Sequence, residues 1–472
     1  MPNLLIVNGR VIDPASGFDG VADVAIADGI IAAVGKGLSR AHLDPRQVID
    51  ASGCIVTPGL IDPHVHLREP GMEEAETIAS GSAAAAAGGF TTVCCMPNTS
   101  PALDDDALIE FVYTQAERTA RGGSRVFPVG AVSKDRKGEE LAEIMLMARA
   151  GAVGFTDDGD CVASAALMSK ALTYIKPTGL ALMQHCQEMS LTRGASMHAG
   201  SVSTRLGLGG WPRVAEEMII ERDVRLNRTI GCPYHVQHLS SGGSVSIVRQ
   251  ARADRLPVSA EVSPHHLLLT HELVETGHGM NGGGRSTPEN RSPAYWTAAK
   301  MNPPLRERSD IAAILEGVAD GTITILATDH APHTQDRKSL EFESAPFGIT
   351  GIETALALYI KALIEPGVID WPRMIAMMTI EPARLCGLDR LDSRGGSPAG
   401  APTMGLGRLH VGSAGDVTII DPNLEWTIDA SRSLSLSRNT PFDGWKVKGR
   451  AVATIVGGEI AWEPAGEHVA GN

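Results

Sequence analysis

Aromatic residues are scarce in this chain. They make up 4% of 472 residues, with 6 Trp, 5 Tyr and 8 Phe. Recognition built on stacked rings, as in single-strand nucleic-acid platforms, has little to draw on. Positive charge is in deficit as well. Lys and Arg total 41 against 55 Asp and Glu, a formal net charge of -14. That balance argues against nucleic acid and anionic membranes as partners, because phosphate neutralisation needs Lys and Arg. An anionic small molecule stays open, since one local Arg can clamp a carboxylate. No run of about 18 apolar residues occurs, so no membrane span is expected. The 7 cysteines are odd in number and scattered, at Cys54, Cys94, Cys95, Cys161, Cys186, Cys232 and Cys386, and no CxxC pair is present. The apolar start from Met1 to Arg10 is too short for a secretory signal. Free thiols in a reducing cytoplasm are the expectation. No internal repeat is visible.

Glycine is plentiful, at 52 residues, and 43% of the chain is hydrophobic. A large core with many tight strand-to-helix turns can be built from that. Eight apolar or β-rich runs end in polar residues, at 59–67, 90–98, 125–132, 152–158, 179–186, 234–240, 257–264 and 322–330. Helix-like stretches lie between most of them, including 73–87, 138–150, 163–175, 211–223, 242–254 and 308–319. Eight strands alternating with helices predict an α/β fold, a (β/α)8 TIM-like barrel. Both termini read instead as short strands. Runs 4–7 and 10–12 flank Asn8-Gly9, 21–26 and 30–34 flank Asp28-Gly29, and 451–456 and 459–462 flank Gly457-Gly458, with a further run at 416–420. Asn-Gly and Asp-Gly between apolar runs predict hairpins. The expected division is therefore residues 1–57 and 401–472 in one small β-sandwich module, and 58–400 in the barrel. Segment 277–298, with Gly282-Gly283-Gly284, Pro288 and Pro293, is expected to be a long surface excursion or lid.

The sharpest chemical signal is Asp62-Pro63-His64-Val65-His66-Leu67-Arg68. A strand places i and i+2 on one face, so His64 and His66 project together at the end of the first strand. Asp157 and Asp158 end the fourth strand, His185 the fifth, His238 the sixth and Asp329 the eighth. Barrel active sites lie at the C-terminal rim, where these groups would meet. His235 rivals His238, but by alternation only one of the two can point inward. Four imidazoles and two carboxylates suit two borderline divalent ions, zinc first. Such ions polarise a carbonyl and lower the pKa of a bridging water to near neutrality. Asp329 is then placed to bind one metal and to shuttle a proton to a leaving nitrogen.

At these residues the chain resembles the amidohydrolase superfamily and, within it, the class I bacterial dihydroorotases, which are cyclic amidohydrolases. The matching strings are Pro58-Gly59-Leu60-Ile61-Asp62-Pro63-His64-Val65-His66-Leu67-Arg68-Glu69-Pro70-Gly71, Met96-Pro97-Asn98-Thr99, Phe155-Thr156-Asp157-Asp158-Gly159, Glu261-Val262-Ser263-Pro264-His265-His266, Met301-Asn302-Pro303-Pro304-Leu305-Arg306 and Ala327-Thr328-Asp329-His330-Ala331-Pro332-His333. The resemblance implies reversible cyclisation of N-carbamoyl-L-aspartate to (S)-dihydroorotate in pyrimidine biosynthesis, with two Zn2+ per subunit. It implies that His64, His66 and Asp329 hold one zinc, that His185 and His238 hold the second, and that Asp158 bridges them. Asp158 is preferred to Asp157 because its spacing to His185 fits the family pattern. Substrate contacts carry over to His66, Arg68, Asn98, Asn302, His333, Phe347 and Gly348. A homodimer and association with aspartate transcarbamoylase are further expectations. Two departures stand out: Gln187 follows His185-Cys186 where an acid is expected, and segment 277–298 is longer than the family norm. Related ring openers, the dihydropyrimidinases, hydantoinases and allantoinases, typically bridge their metals with a carboxylated Lys at the fourth strand. Residues 154–159 contain none. Inactive dihydroorotase-like partners of the transcarbamoylase usually lack metal ligands, whereas every ligand position here is filled.

Overall fold

The protein is described from a computed structural model covering residues 2–38, 45, 47–119, 122–277, 294–390 and 404–464. Most of the expected 277–298 excursion and the expected domain boundary at 400/401 lie outside the described residues.

In the middle of the chain, parallel strands alternate with helices. Leu60–Val65 pairs with Phe90–Cys95, which pairs with Arg125–Pro128. Leu182–Gln184, Tyr234–Val236, Val258–Val262 and Ile325–Leu326 form a second parallel set. Two seams join them. Phe155 bridges Gly130 on one side and Leu182 on the other, and Val65 bridges His330. The ring is thereby closed with eight positions, the fourth reduced to the bridge at Phe155. The paired strands are shorter than the apolar runs that announce them. Residues 152–158 are all buried although only Phe155 is paired. The apolar pattern follows burial, which continues past the ladder into the rim loops.

Local chemistry sets the helix ends. Thr77 caps Ile78–Ala87 by accepting from Ser80 N, and Ser80 Oγ returns a bond from Thr77 N, a reciprocal capping box. The helix expected at 211–223 instead runs Val214–Ile230 and stops at Gly231, whose φ of 69° suits a left-handed cap. Trp211 is excluded from that helix because it pairs with His198 in a short parallel ladder. Other helices include Asp106–Thr119, Ile144–Ala150, Ala165–Ile175, Gly242–Ala253, Arg308–Ala319, Ala355–Tyr359, Trp371–Met378 and Ile380–Leu385. Leu60, Phe90, Val126, Leu182, Val236 and Leu326 belong to one buried apolar cluster.

Strands from both termini share one eight-stranded sheet. Pro2–Asp13 is its hub. It pairs with Phe18–Ala27, Gln47–Asp50 and Ile55–Pro58, and the last of these pairs with Val417–Thr427. The Asp28-Gly29 and Gly457-Gly458 hairpins form as expected. The hairpin expected at Asn8-Gly9 does not. Pro2–Asp13 is one continuous strand with a bulge between Ile6 and Gly9. Asn8 takes φ 65° and donates its N–H to Asp23 Oδ1. A Cβ at position 9 would lie 2.4 Å from Val56, so this glycine allows close strand approach rather than reversal. The sheet folds back on itself, and Gly415 N donates to Gly29 O. It docks on the barrel away from the strand ends that carry the site. Arg125 grips Asp416 through Nε and Nη2 at 2.8 and 3.1 Å, Thr418 Oγ1 donates to Gly89 O, and Thr454 Oγ1 donates to Ala86 O. All seven cysteines are free thiols. Among the described residues, no helix is long and apolar enough to cross a membrane.

Candidate metal centre and active site

Strand ends bring the expected groups together. His64 Nε2 and His66 Nε2 each lie 3.4 Å from an Asp158 oxygen, and 3.6 and 3.0 Å from Asp329 Oδ1. His238 Nε2 and His185 Nδ1 lie 3.4 and 3.6 Å from Asp158 Oδ1 and 2.8 Å from each other. Asp158 is thus the shared member of two donor groups, one with His64 and His66, the other with His185 and His238. All are buried. His238 and Asp329 carry φ of 31° and 50°, and Arg68 one of 62°. Positive φ outside glycine is strained and collects at functional sites.

The outward bonds set the tautomers. His64 Nδ1–H donates to Glu261 Oε1 at 2.6 Å, His66 Nδ1–H to Asn98 Oδ1 at 2.8 Å, and His185 Nε2–H to Gln187 Oε1 at 3.0 Å. These oxygens only accept, so each opposite ring nitrogen turns a lone pair inward. Those lone pairs converge on two carboxylates. His64 Nε2 and Asp158 Oδ1 have no hydrogen-bond partner although buried. Buried ligand atoms that converge in this way, two of them unpartnered, fit a cation-binding centre.

Asp157 plays a different part. Its carboxylate accepts from Val132 N, Ser133 N and Ser133 Oγ at 2.9, 3.0 and 2.5 Å, which joins the third and fourth strand ends. Asp62 does the same between the first and eighth, accepting from His64 N, Thr328 N and Thr328 Oγ1. The expectation that only one of His235 and His238 turns inward fails. The sixth strand ends at Val236, and the positive φ of His238 breaks the alternation. Both residues reach Glu261: His235 Nε2 donates to Oε2 at 3.0 Å, and His238 N to Oε1 at 3.2 Å. Glu261 had no role in the sequence-based reading. Its signal was a lone acid inside the apolar strand Val258–Val262.

Of the residues expected to hold substrate, Asn98 bonds His66, and Arg68, His333 and Phe347 stand next to one another. Arg68 is buried, donates Nε–H to Pro332 O at 3.1 Å, and has its pKa lowered to about 10 by burial. Among the described residues no carboxylate lies within ion-pair distance of it. His333 Nε2–H donates to Phe347 O at 2.7 Å. The same nitrogen is 3.4 Å from Arg68 Nη2, a contact between two donors, so the outer edge of the guanidinium is unspent. Burial and the Arg68 charge lower the His333 pKa to about 2 and keep its ring neutral. Asn302 Oδ1 is buried without a partner. Gly348 takes φ 104°, and a Cβ there would lie 2.6 Å from Ala331 Cβ.

The chain is similar to known proteins along almost its whole length. Residues 53–244 match the family model described as Dihydro-orotase-like. The chain is 45% identical to a dihydroorotase of Citrifermentans bemidjiense over 98% of this chain and 100% of that one. It is 44% identical to a dihydroorotase of Pelotomaculum thermopropionicum over 98% of each. Among solved structures it resembles the L-hydantoinase (dihydropyrimidinase) of Arthrobacter aurescens, with a TM-score of 0.80 and 24% identity over 98% of this chain and 96% of that one. A D-hydantoinase (dihydropyrimidinase) from Thermus sp. gives 0.74 and 26% over 98% and 95%. The expected fold, a barrel with a β-sandwich module from the termini, is the one these structures share. With identity of this order along almost its whole length, the chain belongs to the dihydroorotase family of amidohydrolases.

Proposed function

We propose that this protein is a dihydroorotase that interconverts N-carbamoyl-L-aspartate and (S)-dihydroorotate by reversible ring closure with loss of water, in UMP biosynthesis. The observation that carries the reading is Arg68, a buried guanidinium beside the metal centre with no anion of its own. A buried cation of this kind calls for an anionic ligand, and dihydroorotate supplies a carboxylate. The metal is proposed to be zinc, two per subunit, with His64, His66 and Asp329 on one ion, His185 and His238 on the other, and Asp158 between them. Zinc, when bound, polarises the scissile carbonyl and acidifies a water.

The remaining work falls to side chains. Asp329 Oδ1 faces His64 and His66 and stays ionised. In ring opening it takes the proton of the attacking water as the C–O bond forms. It then passes that proton to the ring nitrogen as the C–N bond breaks. Arg68 clamps the carboxylate, and Asn98 and Asn302 offer both donor and acceptor to the ring amide. His66 and His333, with the backbone at Phe347 and Gly348, complete the cradle, which contributes through orientation. Residues 58–400 form the catalytic barrel in this reading, and 1–57 with 401–472 the β module. A cytoplasmic location accords with seven free thiols. Homodimer formation and association with aspartate transcarbamoylase rest on the family resemblance. Light scattering of the protein alone and mixed with the transcarbamoylase tests both.

The deciding experiment is ring opening of (S)-dihydroorotate by purified protein, with and without chelator, beside dihydrouracil, hydantoin and allantoin. Chelator-sensitive activity on dihydroorotate alone is expected. Activity only on another ring would overturn the substrate and the role of Arg68.

A further inference from the structure

Two lysines lie buried beside the rim, Lys300 at 2% and Lys338 at 4% exposure. Neither has a carboxylate within ion-pair distance among the described residues. Each spends its charge on backbone. Lys300 Nζ donates to Phe342 O, Glu343 O and Ala345 O at 2.7, 3.0 and 2.7 Å. Lys338 Nζ donates to Pro346 O and Gly348 O, both at 3.0 Å. Five carbonyls of one short segment, 342–348, therefore turn inward onto two ammonium groups. That segment ends in Phe347 and Gly348, at the proposed substrate cradle.

We propose that Lys300 and Lys338 are positioning residues for substrate, whose ammonium groups shape the 342–348 segment so that its backbone meets the ring beside Arg68. The proposal rests on the dihydroorotase reading for what that backbone touches, but not for the shaping itself. Inward carbonyls without donors would cost about 1–3 kcal/mol each in a buried setting, so the segment does not keep this form unaided. The three acceptors around Lys300 match the three N–H bonds of an ammonium. A neutral amine has only two, and would turn its lone pair on the third carbonyl. The Lys300 ammonium also sits 4.4 Å from the Phe347 ring centroid, within cation–π range. Its backbone carbonyl accepts from Gly348 N at 2.9 Å.

Further bonds carry this arrangement to the site. Phe347 O accepts from His333, which stands next to Arg68. Asn439 Nδ2 donates to Ala331 O and Gly348 O, and its Oδ1 accepts from His333 N. Lys300 lies two residues before Asn302, and Lys338 ends the short helix Gln335–Lys338 that follows His333. Each lysine is thus anchored beside one proposed substrate contact while it orders two others.

The test uses Lys300→Met and Lys338→Met in the full-length metal-loaded protein, with three readouts. Backbone hydrogen exchange in 342–348 is expected to quicken at least 10-fold, while exchange in Val258–Val262 stays as in the wild type. KM for dihydroorotate is expected to rise at least 10-fold with kcat within threefold. Bound metal should be unchanged. Lys338→Met strands Pro346 O alone, because Gly348 O keeps its bond from Asn439 Nδ2, and it serves if Lys300→Met does not fold. Unchanged exchange in the folded variants would overturn the shaping role. Faster exchange with an unchanged KM would overturn the link to substrate. A wild-type protein inactive on dihydroorotate would sink the functional reading alone, because the exchange experiment still decides the shaping.

Discussion

Glu261 offers the most direct way to test how the metal centre is built. Its Oε1 accepts from His64 Nδ1 at 2.6 Å and from His238 N at 3.2 Å, and its Oε2 accepts from His235 Nε2 at 3.0 Å. In Glu261→Gln the amide oxygen can keep the first two bonds. The new NH2 then faces His235, which can answer by moving its proton to Nδ1, where Ser259 Oγ lies at 2.8 Å. The geometry survives and only the charge is lost. Replacing a hydrogen-bonded partner of a metal-binding imidazole typically costs 10- to 100-fold in metal affinity. With the bonds retained, the lower end applies: about 10-fold, or ~1.4 kcal/mol. The second donor group provides the converse. His185 is held by the neutral amide of Gln187 rather than by a carboxylate, so Gln187→Glu should tighten that group by a similar factor. The assay is competition for zinc against a chromophoric chelator, with metal content counted after dialysis. Wild-type affinity within twofold in both variants would refute charge transmission through the imidazoles. Glu261→Ala is a different perturbation. It strands three buried N–H groups at about 1–3 kcal/mol each and should lower the melting temperature as well as metal affinity.

Four further outcomes are expected. Asp329→Asn should reduce turnover by about 10²- to 10⁴-fold while metal remains bound; near-wild-type turnover would remove Asp329 from proton transfer. Arg68→Lys should raise KM for dihydroorotate by about 10- to 100-fold, because an ammonium cannot reproduce the guanidinium fork, and an unchanged KM would remove Arg68 from the carboxylate clamp. Burial and the neighbouring Lys300 lower the Lys338 pKa from 10.5 to about 7, so between those values the folded protein binds fewer protons than the unfolded chain. The cost of this group is then fully present below pH 7 and is relieved as pH rises toward 10.5; the wild type should gain stability relative to Lys338→Met from pH 7 to 9.5, and a flat melting-temperature difference would contradict this. Arg125→Met should cost about 2 kcal/mol of stability by stranding the buried Asp416, the partial exposure of Arg125 keeping the loss small, with KM unchanged if the β module only supports the barrel.

What could be read from the chain depended on whether a physical rule reached the residue concerned. His64 and His66 were legible because alternation and the barrel rim both apply to them; the rim also reached His185 and Asp329, whereas Asp158 rather than Asp157 came from the family spacing and the role of His238 from the family resemblance. The failures occur where a rule stops acting. Alternation ends with the sixth strand at Val236, so it could not decide between His235 and His238, and both reach Glu261. Asn8-Gly9 meets the composition rule for a turn, but Gly9 is required by the approach of Val56, a contact 47 residues away in sequence. The charged residues behind the site were hidden for a more general reason. An isolated Lys or Glu in a sequence is taken as solvated, because burial without a partner is costly. For Glu261 the partners are three donors around its carboxylate, and for Lys300 and Lys338 they are five carbonyls of one segment. Backbone carbonyls occur at every position and leave no mark in composition or periodicity. A lysine that uses them becomes visible only when the chain is folded. Supporting residues of this type are therefore where a reading from sequence alone is weakest, even at a centre whose metal ligands it can place.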